Sequence, residues 1–259
     1  MSAAPRRRRA ERRESAGSGA CVVFERVGKS FGAHRALVDV DLALPAGAVT
    51  AIVGESGSGK STLLQLINAV YRPDQGRVEV FGAPPPSRDL ARFRRRIGYA
   101  VQGAGLFPHL TIFDNVTLVA RLEGWSAERI GRRFRELIAL VELDPGLGGR
   151  YPFSLSGGEQ QRAGLCRAFM LAPELLLLDE PFSAVDPITR RAIHQQFARL
   201  QRLEATSTVL VTHDLREARQ LADRLVILRR GRVLQAGPVE EVVARPASDE
   251  VAQLFEGAW

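Results

Sequence analysis

The sequence has no long hydrophobic segment and little cysteine. Apolar stretches such as Leu175 to Leu178 and Val209 to Val211 fall far short of the roughly 20 residues that a membrane-spanning helix needs. A protein of this kind that works at a membrane does so from outside the bilayer. The two cysteines, Cys21 and Cys166, are too few for a disulfide framework, and since both lie among apolar residues we expect buried thiols.

The excess of positive charge is small outside the first 18 residues. The net charge is +7 over 259 residues, with 45% hydrophobic and 25% charged residues, a composition typical of a globular protein. Met1 to Ser18 hold six Arg and two Glu, a net charge of +4, so only +3 is left for the other 241 residues. The body therefore lacks the charge of a nucleic-acid-binding protein, and we do not expect nucleic acid as its partner.

Residues 1–18 are predicted to form a disordered tail, because they consist mainly of Arg, Ser, Ala and Gly. The alternative is a contact of this tail with acidic lipid head groups or with nucleic acid. The tail has no apolar centre of about 7 to 15 residues, as a secretory signal would. The sequence therefore predicts cytoplasmic residence.

Short apolar or alternating segments predict strands. Cys21 to Val27 and Val38 to Leu44 alternate and predict an antiparallel edge sheet, with turn residues at Ser30-Phe31-Gly32. Further strands are predicted at Val49 to Val53, Gly76 to Phe81, Ile97 to Val101, Leu175 to Leu178, Thr208 to Val211 and Leu225 to Leu228, and helices at about Lys60 to Val70, Pro187 to Leu203 and Leu215 to Leu221. Such alternation predicts a parallel sheet covered on both faces.

The region between Gln102 and Met170 has helical periodicity, as in Ile130, Phe134 and Leu137. It predicts a helical subdomain at about residues 102–170, inserted in a domain that runs from residue 19 to residue 259. Two short helices are predicted around Arg245-Pro246, in the segment that ends at Trp259.

A glycine-rich segment lies between a predicted strand and a predicted helix. Its sequence, Gly54-Glu55-Ser56-Gly57-Ser58-Gly59-Lys60-Ser61, fits the phosphate-loop pattern G-x-x-x-x-G-K-[ST] in the context that the pattern requires. Backbone N–H groups at such a helix start bind phosphates. The loop therefore predicts nucleotide binding: Lys60 is expected to reach the β- and γ-phosphates, Ser61 to bind Mg²⁺, and Thr62 to add a phosphate contact.

Two carboxylates follow a buried strand at Asp179 and Glu180. Alone, such a pair is more often a strand end, but downstream of a phosphate loop it predicts catalytic chemistry. Asp179 is expected to hold Mg²⁺, and Glu180 to polarise the attacking water.

A second glycine-rich turn precedes a helix in Leu155-Ser156-Gly157-Gly158-Glu159-Gln160-Gln161-Arg162. This segment resembles the signature of the ATP-binding-cassette ATPases, and the order of the other motifs matches from about Val22 to Gly237. The resemblance implies an α/β fold: a P-loop NTPase core with a parallel sheet, an antiparallel edge β-subdomain and an inserted helical subdomain. It also implies ATP hydrolysis.

The resemblance implies a head-to-tail dimer, in which the signature of one copy completes the phosphate site of the other. By this likeness Ser156, Gly157 and Gly158 contact the γ-phosphate across the interface, and the loop that ends at Asp186 crosses it. Phe31 is expected to stack on adenine. Gln102 is expected to contact Mg²⁺ and water, and His213 the γ-phosphate. The other histidines, His34, His109 and His194, lack the spacing of metal ligands and are expected at the solvated surface.

The segment from Arg94 to Trp125 is similar to importer ATPases, above all those for quaternary-amine osmoprotectants such as glycine betaine, choline or carnitine. This similarity implies an integral membrane permease, a solute-binding protein and a peripheral position at the cytoplasmic face of the inner membrane. Many such ATPases carry a further C-terminal regulatory domain. None follows here before Trp259, so gating by ionic strength through such a domain is not expected.

Two functional classes are compatible with the sequence. One is the energising subunit of a membrane importer, favoured by the length of a single cassette and by the match from Gln102 to Trp125. The other is a soluble cassette ATPase that acts on a cytosolic assembly or on nucleic acid. Only the Arg-rich tail favours this second class.

Overall fold

The computed structural model describes residues 19–183 and 185–256. The predicted tail, residues 1–18, lies outside the described residues. The strands are β1 (Ala20–Phe31), β2 (His34–Pro45), β3 (Val49–Val53), β4 (Gln75–Val80), β5 (Ile97–Ala100), β6 (Leu175–Asp179), β7 (Ser207–Thr212), β8 (Arg224–Arg229) and β9 (Arg232–Pro238). The α-helices are α1 (Lys60–Ile67), α2 (Leu90–Arg94), α3 (Ile112–Leu122), α4 (Ala127–Leu140), α5 (Gly157–Phe169), α6 (Pro187–Glu204), α7 (Leu215–Leu221), α8 (Val239–Ala244) and α9 (Asp249–Phe255).

The chain divides into two compact units. The first contains residues 19–94 and 207–256, and the second contains residues 95–206. Within both, strands and helices alternate along the chain, so the predicted α/β class is confirmed. The boundaries of the inserted helical subdomain remain a prediction, although α3, α4 and α5 all lie between Gln102 and Met170.

The antiparallel sheet of the first unit has the strand order β2-β1-β4. Val22 pairs with Leu44 on one side and with Val80 on the other. Strand β1 is longer than predicted, because it continues through Ser30 and Phe31, and the chain turns only at Gly32 and Ala33. The predicted edge sheet therefore exists, with a later hairpin turn.

The parallel strands of the first unit place β3 between β7 and β8. Ile52 of β3 pairs with Val211 and with Val226. Strand β9 pairs antiparallel with β8. Sequence analysis missed this strand because the segment RVLQAGP ends in Gly and Pro and is only partly buried. Helices α7, α8 and α9 pack with β3 and β8 in one buried cluster, which contains Ala51, Val53, Leu215, Ala218, Leu225, Ile227, Val239, Val242, Val251 and Phe255.

The second unit contains the parallel pair β5 and β6, with Gly98 opposite Leu176. Helix α5 packs against α3, α4 and β5. Gly98 permits this approach, because a Cβ atom there would lie 2.3 Å from the carbonyl oxygen of Ala168. All four leucines from Leu175 to Leu178 are fully buried, which explains their uninterrupted apolar run.

Both cysteines are buried, as predicted. Burial raises the pKa of the Cys166 thiol to about 12, so it stays protonated at neutral pH. His34 and His109 are exposed, but the prediction of a solvated position is wrong for His194. Its side chain is 4% exposed and its ring meets the Phe182 ring edge-on at 4.7 Å.

Within residues 19–183 and 185–256, no helix is both long enough and apolar enough to cross a membrane.

Candidate functional site

The phosphate loop of the first unit follows directly after β3 and leads into α1. Gly54 begins the loop in a place where no side chain fits, because a Cβ atom would lie 2.0 Å from the carbonyl oxygen of Leu228. Gly59 ends the loop with a φ of 106°, a left-handed conformation that favours glycine. The glycines of the predicted motif are therefore required by the backbone path.

The start of α1 has no side chain to cap it. Gly59 occupies the N-cap position, and the first turn contains no acidic residue. The first N–H groups of a helix have no partner within the helix and carry a partial positive charge. The Ser58 hydroxyl is also buried without a hydrogen-bond partner. These donors suit a phosphate group, so the loop fits ATP.

Lys60 is held inside the loop. Its ammonium donates hydrogen bonds to the carbonyl oxygens of Gly54 and Glu55, both at 2.8 Å, and the side chain is only 6% exposed. The bonds place a positive charge within the same loop as the α1 N–H groups. Ser61 and Thr62 follow it in the first turn, with Ser61 exposed and Thr62 half-buried.

Phe31 lies at the end of β1 with its ring partly open to solvent, at 41% exposure. The Tyr71 ring meets it edge-on at 5.0 Å, and the Lys29 ammonium lies 5.5 Å from its centroid. Asp74 holds Lys29 through an ion pair of 2.7 Å, and this bond, together with one from the Ser30 N–H, lowers the pKa of Asp74. Phe31 thus belongs to an ordered aromatic pair, of which sequence analysis missed Tyr71.

His213 follows the last residue of β7 and is exposed. The next residue, Asp214, caps α7 by accepting hydrogen bonds from the N–H groups of Arg216 and Glu217. His213 is therefore fixed between a buried strand and a capped helix, in the same unit as the phosphate loop.

The carboxylates of the second unit lie at the carboxyl end of β6. Asp179 is the last residue of the strand, and Glu180 follows it. The Gln102 amide nitrogen lies 3.5 Å from the Glu180 carboxylate as a hydrogen-bond donor. Burial, and secondarily the charge of Asp179, raise the pKa of Tyr99 on β5 to about 12. The structure therefore places the Gln102 side chain next to the Glu180 carboxylate, and the roles of both residues remain predictions.

The backbone of Glu180 has a φ of +46°, which is unusual for a residue other than glycine. Its carbonyl oxygen accepts hydrogen bonds from the Ser183 hydroxyl at 3.0 Å and from the Ser183 N–H at 3.3 Å. Backbone strain of this kind persists only where its surroundings hold it. Ser183 is thus a local support of Glu180.

The signature segment begins α5. Ser156 is the N-cap and Glu159 completes a capping box, in which each residue bonds to the backbone of the other. Ser156 and Gly157 are exposed, whereas Gly158 is buried, and a Cβ atom there would lie 2.5 Å from the Thr189 methyl carbon. The pattern S-x-x-E was visible in the sequence, but sequence analysis did not assign Glu159 a role.

Asp186 is the N-cap of α6. Its carboxylate accepts hydrogen bonds from the N–H groups of Ile188 and Thr189, at 3.1 and 3.0 Å. Hydrogen bonds from Thr189, followed by one from Ile188, lower the pKa of Asp186. This carboxylate therefore orders the end of the loop that leads from Glu180 to α6.

The predicted site residues thus form two local groups, one in each unit. Phe31, the loop from Gly54 to Thr62, and His213 belong to the first unit. Gln102, Ser156 to Gly158, Asp179, Glu180 and Asp186 belong to the second.

The chain is similar to known transport ATPases. The family model described as ABC transporter matches residues 37–183. The glycine betaine uptake system ATP-binding protein YehX of Escherichia coli is 44% identical over 90% of this chain and 76% of its own length. The glycine betaine/carnitine/choline transport ATP-binding protein OpuCA of Bacillus subtilis is 43% identical over 90% of this chain. The match spans only 61% of the length of that Bacillus protein.

Similar solved structures are also ATP-binding cassettes. The ATP-binding cassette MJ0796, in a dimeric post-hydrolysis state bound to ADP and Pi, has a TM-score of 0.76 and 32% identity, over 84% of this chain and 98% of that one. Since the family model matches more than half of the chain, and a relative of 44% identity matches 90% of it, the chain belongs to the ATP-binding-cassette (ABC) transporter family, whose members hydrolyse ATP.

Proposed function

We propose that this chain is the ATP-hydrolysing subunit of an importer for a quaternary-amine osmoprotectant. The observation that carries the proposal is the identity of 44% and 43%, along 90% of the chain, with ATP-binding proteins for the transport of glycine betaine, carnitine and choline. The phosphate loop and the paired carboxylates supply the chemistry that such a subunit needs.

ATP binds first to the phosphate loop. The N–H groups from Gly54 to Thr62 surround the phosphates, and Lys60 exchanges its two carbonyl partners for phosphate oxygens, which are stronger acceptors because they are charged. Phe31 stacks on adenine, and the edge-on Tyr71 ring holds the Phe31 ring in place.

The residues assigned to Mg²⁺ offer only oxygen ligands: the Ser61 hydroxyl, the Asp179 carboxylate and the Gln102 amide oxygen. This donor set fits Mg²⁺, which prefers hard oxygen ligands. When bound with ATP, the ion neutralises charge that develops on the phosphates.

Hydrolysis requires a water molecule aimed at the γ-phosphate. Glu180 accepts a hydrogen bond from this water and raises its nucleophilicity, and Gln102, which contacts the Glu180 carboxylate at 3.5 Å, orients both. His213 contacts the γ-phosphate. The bonds from Ser183 to the Glu180 carbonyl keep the carboxylate in position.

Two copies close head to tail around two ATP molecules. Ser156, Gly157 and Gly158 of one copy contact the γ-phosphate bound to the other copy, and the loop that ends at Asp186 crosses the interface. Closing on ATP and opening after hydrolysis transmit movement to a separate membrane permease, at the cytoplasmic face of the inner membrane. A solute-binding protein delivers the osmoprotectant to that permease.

The proposal is tested with Glu180→Gln, which we expect to bind ATP, lose hydrolysis by at least about 100-fold, as expected for loss of a general base, and remain a closed dimer. The tagged variant is purified with ATP from detergent-solubilised native membranes, and its companions are identified by mass spectrometry. We expect a multi-span permease at a near one-to-one ratio, whose uptake of glycine betaine or choline is then measured.

Recovery of soluble proteins or nucleic acid alone, with a properly formed ATP dimer, contradicts the importer assignment and favours a soluble assembly ATPase. Recovery of a permease that transports a different solute class contradicts only the osmoprotectant assignment. Glu136→Gln, at an exposed glutamate of α4, serves as the matched control and should hydrolyse ATP normally.

A further inference from the structure

The N-terminus of α5 is capped by a side chain from its own first turn, that of Glu159. One oxygen of the Glu159 carboxylate accepts two hydrogen bonds from Ser156, from the hydroxyl at 2.6 Å and from the backbone N–H at 2.8 Å. In return the Glu159 N–H donates to the Ser156 hydroxyl oxygen at 3.3 Å. Both donors that Ser156 possesses are therefore directed to the same carboxylate oxygen.

These bonds compete with a phosphate. A serine hydroxyl has a single proton, and the hydrogen bonds from Ser156 lower the pKa of Glu159, so the carboxylate is ionised at neutral pH and the shared proton belongs to Ser156. While Ser156 donates this proton to Glu159, it has none for a γ-phosphate oxygen. The negative charge of Glu159 also repels a phosphate that approaches the same hydroxyl.

A second helix of the same unit shows what distinguishes this cap. At the start of α3, the Thr111 hydroxyl donates to Asp114 at 2.6 Å, and Asp114 forms an ion pair with Arg121. In the part of the chain that the structure describes, the Glu159 carboxylate forms no ion pair within 4 Å. The pKa of Glu159 is thus lowered mainly by the hydrogen bonds from Ser156, with a smaller contribution from the charge of Arg162.

We propose that Glu159 gates the signature segment: its carboxylate occupies the Ser156 donors until the γ-phosphate of the other copy displaces it, which weakens ATP-driven dimerisation. This inference rests on the proposed function, because it takes Ser156 as a contact of the γ-phosphate. Glu159 is a positioning residue that acts through Ser156. Its effect is confined to dimer closure, and binding of ATP to the phosphate loop of a single copy does not involve it.

The test uses Glu159→Gln in the Glu180→Gln background. Glutamine keeps the length of the side chain and an oxygen that can cap Ser156, but it removes the charge. Dimer dissociation constants with MgATP are measured by sedimentation velocity. We expect the dimer of the double variant to be about tenfold tighter, which corresponds to ~1.4 kcal/mol over two sites. Calorimetry on the dilute monomer should give an unchanged ATP affinity. A general loosening of the fold would lower that affinity.

Two variants control for charge and for folding. Glu128→Gln removes an exposed charge from the first turn of α4, which is also capped by a serine, Ser126, and should leave the dimer constant of the Glu180→Gln parent unchanged. Glu159→Asp keeps the carboxylate in the position that Asp114 uses at α3, and should also resemble the parent. The proposed role of Glu159 is supported if Glu159→Gln tightens the dimer while Glu128→Gln and Glu159→Asp do not.

An unchanged or weaker dimer with Glu159→Gln, while the Glu180→Gln parent dimerises with ATP, overturns the gate and leaves the proposed function intact. If the Glu180→Gln parent stays monomeric with ATP, the proposed dimer fails and the gate fails with it. If Glu159→Gln unfolds, equal dimer constants for Glu159→Asp and Glu159→Ala overturn the gate, whereas a tighter dimer with Glu159→Ala supports it.

Discussion

Two glycine-rich turns of this protein lead into helices, and the two helix starts differ in how their N–H groups are satisfied. Helix α1 begins after Gly59 with neither a side-chain cap nor an acidic residue in its first turn. Helix α5 begins with a complete capping box, formed by Ser156 and Glu159. Both turns are proposed to meet the same ATP phosphates, yet only one is bare.

The difference indicates that the two helix starts act at different steps, one in ATP binding by a single copy and the other in dimer formation. A helix start without a capping carboxylate, next to a buried lysine, binds the phosphates of a nucleotide without displacing a negative charge, and so it can hold ATP in a single copy. A capped start has to exchange its own carboxylate for a phosphate. It therefore contributes only when a second copy presents a γ-phosphate with enough affinity to displace that carboxylate.

The largest effect on ATP affinity is expected from Lys60→Ala, which removes the buried ammonium group at the start of α1. Removal of a charged donor costs up to about 3 kcal/mol, or roughly 100-fold in ATP affinity. Calorimetry with MgATP measures it, and thermal melting without nucleotide controls for the loss of the bonds to Gly54 and Glu55. Unchanged ATP affinity in a folded variant contradicts the role of Lys60.

A smaller effect is expected when the bare start is given a charge like that of α5. Thr62 and Glu159 hold the equivalent third position of their helices, so Thr62→Glu places a carboxylate there, and Thr62→Gln is its neutral match. We expect Thr62→Glu to bind ATP about tenfold more weakly than Thr62→Gln, because like charges repel. Equal affinities would show that charge at this position has no influence on phosphate binding.

The smallest effect concerns the caps themselves. Ser156 and Ser126 are both serine N-caps in the second unit, of α5 and α4. Replacement of either by Ala is expected to lower the free energy of unfolding by about 1 kcal/mol, measured by urea denaturation. Only Ser156→Ala should also weaken the ATP-driven dimer of Glu180→Gln. If Ser126→Ala weakens it equally, the dimer depends on general stability and not on the signature serine.

Much of the structure around the start of α1 could be predicted from the sequence, because it depends on local backbone geometry. The strand Val49–Val53, the loop from Gly54 and the helix from Lys60 were all predicted, and the structure shows why Gly54 and Gly59 must be glycine. The predicted helix was too long: it ends at Ile67, and Ala69 adopts a φ of +54°.

Features that depend on distant parts of the chain could not be predicted. The pairing of Tyr71 with Phe31 joins residues 40 positions apart and has no local signal. The burial of His194 depends on the ring of Phe182, which a helical pattern alone does not place. The capping box at Ser156 did have a local signal, S-x-x-E, but this pattern by itself predicts only the start of a helix.

The central claim is that the bare start of one copy and the capped start of another act on the same ATP. It is tested most directly by mixing two variants in the Glu180→Gln background. The tagged variant, Lys60→Ala/Glu180→Gln, lacks the lysine of the phosphate loop, and the untagged variant, Ser156→Ala/Glu180→Gln, lacks the serine of the signature segment. Their mixed dimer has one site in which Lys60 and Ser156 are both intact. We expect MgATP to drive capture of the untagged chain by the tagged one, beyond the self-association of either. Capture that does not depend on ATP, or no capture while Glu180→Gln captures itself, would contradict the claim.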